Sequence, residues 1–342
     1  MNNPDLRAAF QFLTSESKDL FLPPNIPETY GIPSPLKFVR DNVAKNLPLI
    51  MRNAVNDWPA VQKWNSKYFR EAIPEKEVTV AITPNGYADG LAFHQEEEYF
   101  VLPLEQTMRM EDFLNALDHK DPDVVPYIQR QNSNLTEDFQ ELWMDVKQNS
   151  LNFASEAFNK EPDAINFWMG DERAITSSKL RRTQLSRDIG AFLKLFYRST
   201  VHKDPYENIY CVISGYKDFI LIPPIDLHNV PRRKYPMGIY MQQNDDSIVI
   251  EPVVDKKGQP GLIEWVSVDP LNPDLERFPC YADATTYEIR LNAGDLLYLP
   301  SLWYHHVRQS HKCIAINFWY DMDYDARYCF YKMMEKLCNY GQ

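Results

Sequence analysis

The stretch HKDPYENIYCVISGYKDFILIPP, residues 202–224, decides how the rest of the chain is read. Its two apolar runs flank Ser214-Gly215, which reads as a hairpin turn between short strands. His202-Lys203-Asp204 sits at the start of the first strand. Two-residue periodicity puts His202 and Asp204 on one face and Lys203 on the other. A histidine and a carboxylate converging from one strand fill two positions of a 2-His-1-carboxylate facial triad, a set that holds iron(II) and leaves coordination positions open. H-x-D alone is a weak signal, because a single histidine is more often a surface or core residue. A third ligand must come from a later strand, and LPSLWYHHVRQS, residues 299–310, offers His305 and His306. Parity puts His305 and Val307 on one strand face without saying which face points inward.

Outward from this segment the strand signals continue. AINFWMG (164–170), DLLYLP after the turn Ala293-Gly294, and CIAINFWYD (313–321) read as strands. So do Pro48–Arg52, VTVAITP ending in a turn at Asn85-Gly86, and VVPYIQRQ (124–131). Helical spacing appears in Pro4–Phe21, through Leu6, Phe10, Leu13 and Leu20, in MEDFLNALD (110–118), and in the tail from Tyr324. FLPPNIPETYGIPSP reads as an extended connector. Short strands with helices packed outside predict a mainly β fold with flanking helices, a jelly-roll (double-stranded β-helix) barrel. The predicted division is an N-terminal helical and β flank over 1–125, a catalytic core over 126–325, and a C-terminal helix over 326–342.

Bulk properties narrow the function classes. The 25 prolines against 11 glycines in 342 residues cut the chain into short segments, as strands and loops require. A net charge of −12 argues against a nucleic-acid surface and favours either a cationic partner or plain solubility. The five cysteines are scattered, without a C-x-x-C pair, and read as free thiols of a reducing compartment. No basic and apolar leader opens the sequence, and no apolar run reaches the ~18 residues of a membrane span. The expectation is a protein of the cytoplasm, with the nucleus as a second location; oligomeric state is not legible.

HKDPYENIYCVISGYKDFILIPP, GDLLYLPSLWYHHV and IAINFWYD resemble the successive barrel strands of the JmjC oxygenases, and the text from LPLIMRNAVNDWPAVQKW through VAITPNGYAD and INFWYDMDYD extends the resemblance over nearly the whole chain. The resemblance implies a cupin-like barrel, iron(II), 2-oxoglutarate and dioxygen, and C-3 hydroxylation of a lysine side chain in a protein substrate. By the same resemblance the partner is a protein presenting a lysine, such as a GTPase related to translation factors. Cleavage of methylated histone tails is a second activity attributed to the group. Residue by residue, it gives His202, Asp204 and His305 as metal ligands and catalytic residues; the family's third ligand directly follows an aromatic pair, here Trp303-Tyr304. It also gives Lys217 and Tyr127 for the distal carboxylate of 2-oxoglutarate, a dianion that needs a paired cation when buried. Asn208 and Asn317 match the amides that line the cosubstrate site, and Trp319 shares the face of Asn317 by parity. A substrate lysine needs a counter-charge near the mouth; Asp89, Glu207, Asp321 and Asp323 are all candidates.

One segment departs from the family. SKLRRTQLSRDIGAFLKLFYR separates AITS (174–177) from STVHKD and carries six basic residues against the single acid Asp188. Residues 178–198 read as a surface helix, a substrate-docking element or a translated intron, and the foreign charge favours the last. The insert leaves open whether Ser199, three residues before His202, or Thr176 contacts 2-oxoglutarate. Two rival functions remain: a peptidase acting on methylated histone tails, although no H-E-x-x-H motif is present, and a catalytically silent binding barrel.

Overall fold

The structure, a computed structural model, describes residues 3–88, 90–146, 151–175, 201–245 and 247–339. A nine-stranded sheet runs in the order Glu28–Tyr30, Leu49–Arg52, Leu296–Leu299, Tyr206–Ser214, Cys313–Asp321, Ala164–Gly170, Val125–Ile128, Glu77–Thr83 and Leu104–Arg109. A three-stranded sheet, Tyr287–Asn292, Tyr216–Ile222 and Tyr304–Gln309, provides the second layer. A five-stranded sheet built on Arg232–Gln242 completes the β-structure. This is a jelly-roll of the cupin type, mainly β with flanking helices. Strands from residues 1–125 are hydrogen-bonded into the same large sheet as the strands around His202.

Two apolar cores explain why Ile209 to Ile213 and Ile314 to Trp319 read as near-continuous apolar runs: both faces of these strands are buried. Tyr210, Val212 and Ala315 face inward, packing with Phe219, Leu221, Leu291 and Val307 of the smaller sheet. Ile209, Cys211, Ile213, Ile316 and Phe318 face outward, under Phe38, Phe69, Phe113, Leu117 and Phe153 of the helices. Phe167 anchors this outer core, with Trp64, Phe69 and Phe139 rings 4.8–6.0 Å away. Such aromatic pairs add about 0.5–1.5 kcal/mol each beyond their buried area.

Three sequence expectations are corrected. Ser214-Gly215 is not a hairpin turn. Tyr206–Ser214 pairs with Leu296–Leu299 and Cys313–Asp321, whereas Tyr216–Ile222 pairs with Tyr287–Asn292 and Tyr304–Gln309. Gly215, at φ +77°, turns the chain from one layer to the other, and a Cβ there would lie 2.3 Å from Ser310 Oγ. Secondly, the strand begins at Tyr206 and not at His202. Pro205 has no N–H to give a ladder, so His202 is held instead by an isolated bridge to His305. Thirdly, Leu20 is exposed; the helix Pro4–Leu20 buries Phe10, Thr14 and Ser17, with Thr14 donating to Asp226 at 2.8 Å. The connector after this helix also contributes Glu28–Tyr30, a parallel edge strand on Leu49–Arg52. No described helix is long and apolar enough to cross a membrane.

Candidate metal centre and buried lysine

His202, Asp204 and His305 are each about 95% buried, and their ligand atoms lie within 4.8 Å of one another. His305 Nε2 stands 3.7 Å from Asp204 Oδ2, and the two imidazole centroids are 3.9 Å apart. The backbone holds the group together. His305 N donates to His202 O at 2.7 Å, His202 N returns a bond to His305 O at 3.1 Å, and Leu302 N donates to Asp204 O at 2.8 Å. His305 Nδ1 lies 3.0 Å from Trp303 O; as a donor there it leaves the Nε2 lone pair facing Asp204. Burial holds His305 at a pKa of about 4, and His306 repels its charge as well. Burial, with repulsion from His305 and His306, pushes His202 well below 6.5. Both imidazoles are therefore neutral at pH 7, the form in which histidine binds a metal.

His305 is the histidine that the structure brings to this cluster. Leu221 faces His305 and Lys217 faces Gln309 across the ladder, so His305, Val307 and Gln309 share the inner face. His306, fully buried, lies on the opposite face.

Lys217 is 0% exposed at the other end of the same inner face. Its ammonium donates to Tyr127 Oη at 3.0 Å and lies 5.4 Å and 5.7 Å from the Tyr127 and Tyr210 rings. Burial works against the charge, yet the Tyr127 and Tyr210 oxygens hold the pKa above the ordinary lysine value. Among the described residues no carboxylate pairs with it, which suits an anionic ligand. Tyr127 reaches the lysine because Gly170 opposite has no side chain; a Cβ there would lie 2.2 Å from Tyr127 Cδ2.

Between these ends runs a chain of amides. Trp168 Nε1 donates to Asn317 Oδ1 at 2.8 Å, and Asn317 Nδ2 donates to Asn208 Oδ1 at 3.2 Å. Trp319, opposite Asn208, is 3% exposed and stacks on Tyr206 at 5.0 Å and 7°. Lys217, Tyr127, Asn208, Asn317 and Trp319 thus share one interior with the triad. Ser199, Thr176, Asp89 and the insert 178–198 lie outside the described residues.

Other residues hold this site from outside, and sequence reasoning missed their part. Glu207 accepts from Tyr298 Oη at 2.7 Å and Ser301 Oγ at 2.8 Å. Asn46 accepts from Trp303 Nε1 through Oδ1 at 2.9 Å and donates to Ser301 O at 3.2 Å. Together they pin the turn Pro300–Trp303, with Leu302 at φ +68°, just before His305. Lys203, on the far side of H-x-D, pairs at 2.8 Å with Glu335 of the C-terminal helix.

Sequence comparison agrees with this architecture. A profile described as cupin-like domain matches residues 35–326. The chain belongs to the cupin-like JmjC family. It is 37% identical to a human protein named "Bifunctional peptidase and (3S)-lysyl hydroxylase JMJD7", over 97% of this chain and 95% of that one. It is 31% identical to "JmjC domain-containing protein E" of Dictyostelium discoideum, over 96% and 93%. It is also 30% identical to "Lysine-specific demethylase JMJ32" of Arabidopsis thaliana, over 95% and 90%. Membership makes this chain a 2-oxoglutarate-type oxygenase, of a family that typically uses iron(II) and 2-oxoglutarate. The residues fit both: two neutral imidazoles and a carboxylate suit iron(II), and a buried ammonium without a carboxylate partner suits a dicarboxylate.

Proposed function

We propose that this protein is an iron(II)- and 2-oxoglutarate-dependent hydroxylase that oxidises C-3 of a lysine side chain in a polypeptide. The observation that carries the reading is the pairing of a buried His-Asp-His cluster with a buried ammonium at the far end of one inner sheet face. His202, Asp204 and His305 would hold the metal. Lys217, with Tyr127, would take the distal carboxylate, and Asn208 and Asn317 would orient the rest. Along its strand Lys217 is four residues, roughly 13 Å, from the residue facing His305. A lysine side chain and a five-carbon dicarboxylate together span that length.

When bound, iron(II) supplies the oxidising chemistry: 2-oxoglutarate loses carbon dioxide and becomes succinate, and dioxygen is divided between succinate and the substrate carbon. The chain's own contribution is positional. Neutral imidazoles keep the site free of competing protons, Trp319 and Tyr206 wall off water, and Lys217 offsets the dianion's charge.

For the substrate lysine we assign Asp321 as the counter-charge. It shares the face of Asn317 and Trp319 and stands opposite Tyr206, two residues beyond Asp204, at the triad end of the sheet. Glu207 has the opposite parity; Lys160 donates both to Asp321 O, at 2.9 Å, and to Asp323, at 2.8 Å, and Asp323 lies beyond the strand with its side chain 77% exposed.

Mass spectrometry of lysine-containing peptides incubated with protein, iron(II) and 2-oxoglutarate tests the proposal. A gain of 16 Da that requires 2-oxoglutarate and disappears in His202→Ala and Asp204→Ala supports it. Backbone cleavage supports the peptidase rival, loss of a methyl group from methyl-lysine a demethylase, and no change with any peptide a silent barrel.

A further inference from the structure

Gln129 stands two residues beyond Tyr127 in VPYIQRQ, just past the end of the strand Val125–Ile128, which runs from the Lys217 end toward the triad end. It is 1% exposed, yet neither its Oε1 nor its Nε2 has a hydrogen-bond partner among the described residues. Burying an amide unpaired is costly, and more than about 90% of buried polar groups avoid it. The two ligand chemistries that the proposed function brings to this interior do not resolve it. A carboxylate accepts only, so it would use Nε2 and set its charge against Oε1. An ammonium donates only, and would leave Nε2 unmet. A peptide group offers one N–H and one C=O and answers both ends at once.

We infer that Gln129 is a substrate-contacting residue that pairs with a main-chain peptide group of the polypeptide beside the target lysine. This rests on the hydroxylase reading above. It assigns the protein a means of recognising backbone, separate from the charge that Asp321 reads.

The test uses the full chain with Gln129→Leu, which keeps the bulk and removes both polar atoms. The probe is whichever member of a degenerate lysine-centred peptide pool the wild type hydroxylates fastest. Losing two hydrogen bonds to the peptide raises KM roughly tenfold. Turnover at saturation and the affinities for iron(II) and 2-oxoglutarate stay near wild type. Tm stays level or rises, because an unsatisfied buried amide has gone; a structural glutamine would give a fall instead. Replacing the peptide N–H next to the lysine by an ester oxygen raises KM for wild type and not for Gln129→Leu. An unchanged KM, a lower Tm at unchanged KM, or weakened 2-oxoglutarate affinity at unchanged KM each overturns the inference. Failure of the wild type to hydroxylate any peptide in the pool overturns the hydroxylase reading instead, and the inference with it.

Discussion

Glu335→Gln should loosen the C-terminal helix from the H-x-D segment, with an effect that depends on pH in one direction. Glu335 receives Lys203 and Arg232 at 2.8 Å each, and Lys332 as well. Its side chain is 13% exposed. Burial raises its pKa, but the Lys203 and Lys332 ammoniums outweigh burial and hold the carboxyl at about 2. An unfolded glutamate titrates near ~4.3, so the folded value is depressed. The stabilisation is therefore complete above ~4.3 and is lost as pH falls from there toward 2. Its full size is about 3 kcal/mol, and about half of that remains near pH 3.3. Arg232 keeps Glu264 at 3.1 Å in the variant, which brings the expected loss at pH 7 to roughly 2–3 kcal/mol. Urea unfolding of both proteins at pH 7 and pH 3.3 measures this. Equal differences at the two pH values, or a difference below ~0.5 kcal/mol at pH 7, would refute the electrostatic account. Lys203 lies between His202 and Asp204, so iron affinity should also fall, by roughly tenfold, as when residues supporting metal ligands are lost.

Four shorter predictions address the buried site. His305→Ala should abolish iron binding and turnover, while His306→Ala, on the opposite face, should lower Tm and keep iron binding; the reverse pattern in a metal titration would move the ligand by one residue. Lys217→Ala should weaken 2-oxoglutarate binding by roughly two to three decades, the cost of an uncompensated buried charge, with iron binding retained. Lys217→Arg keeps the charge but adds a longer planar head, so calorimetry should show only partial rescue. Gly170→Ala should push the Tyr127 ring off Lys217 and weaken 2-oxoglutarate about tenfold; unchanged affinity would mean that Tyr127 takes no part. Asp321→Asn should raise KM for a lysine peptide and leave 2-oxoglutarate affinity unchanged, and a norleucine peptide should not distinguish variant from wild type.

The strands were the legible part of the fold, and their pairing was not. AINFWMG and CIAINFWYD are strands within a residue of where apolar patterning puts them. Patterning also predicts MEDFLNALD as a helix, and it is one. Gly215, however, has positive φ either in a hairpin or at a corner between layers, and nothing local separates the two. The choice is made by residues some 80 positions away, where Tyr287–Asn292 and Tyr304–Gln309 flank Tyr216–Ile222. The strands Arg232–Gln242, Ile248–Pro252 and Leu262–Val266 went unread because charged and polar residues interrupt their alternation. Part of that sheet is solvent-facing, where the pattern is weakest.

On the inner face, side-chain parity is as informative as composition and motif spacing. Lys217, which the family resemblance points to, faces inward although the expected hairpin does not form, because parity along its own strand is independent of which strand lies beside it. The same parity separates Glu207 from Asn208 and puts Asp321 with Asn317 and Trp319. It likewise places Gln129 with Tyr127. Parity could not show which of these residues are satisfied. That depends on Tyr298 and Ser301 meeting Glu207, on Lys160 meeting Asp323, and on no described group meeting Gln129. Those pairings join residues up to 163 positions apart and exist only after the layers close. Period two therefore sorts side chains into faces, and only the closing of the layers decides which partners meet on them.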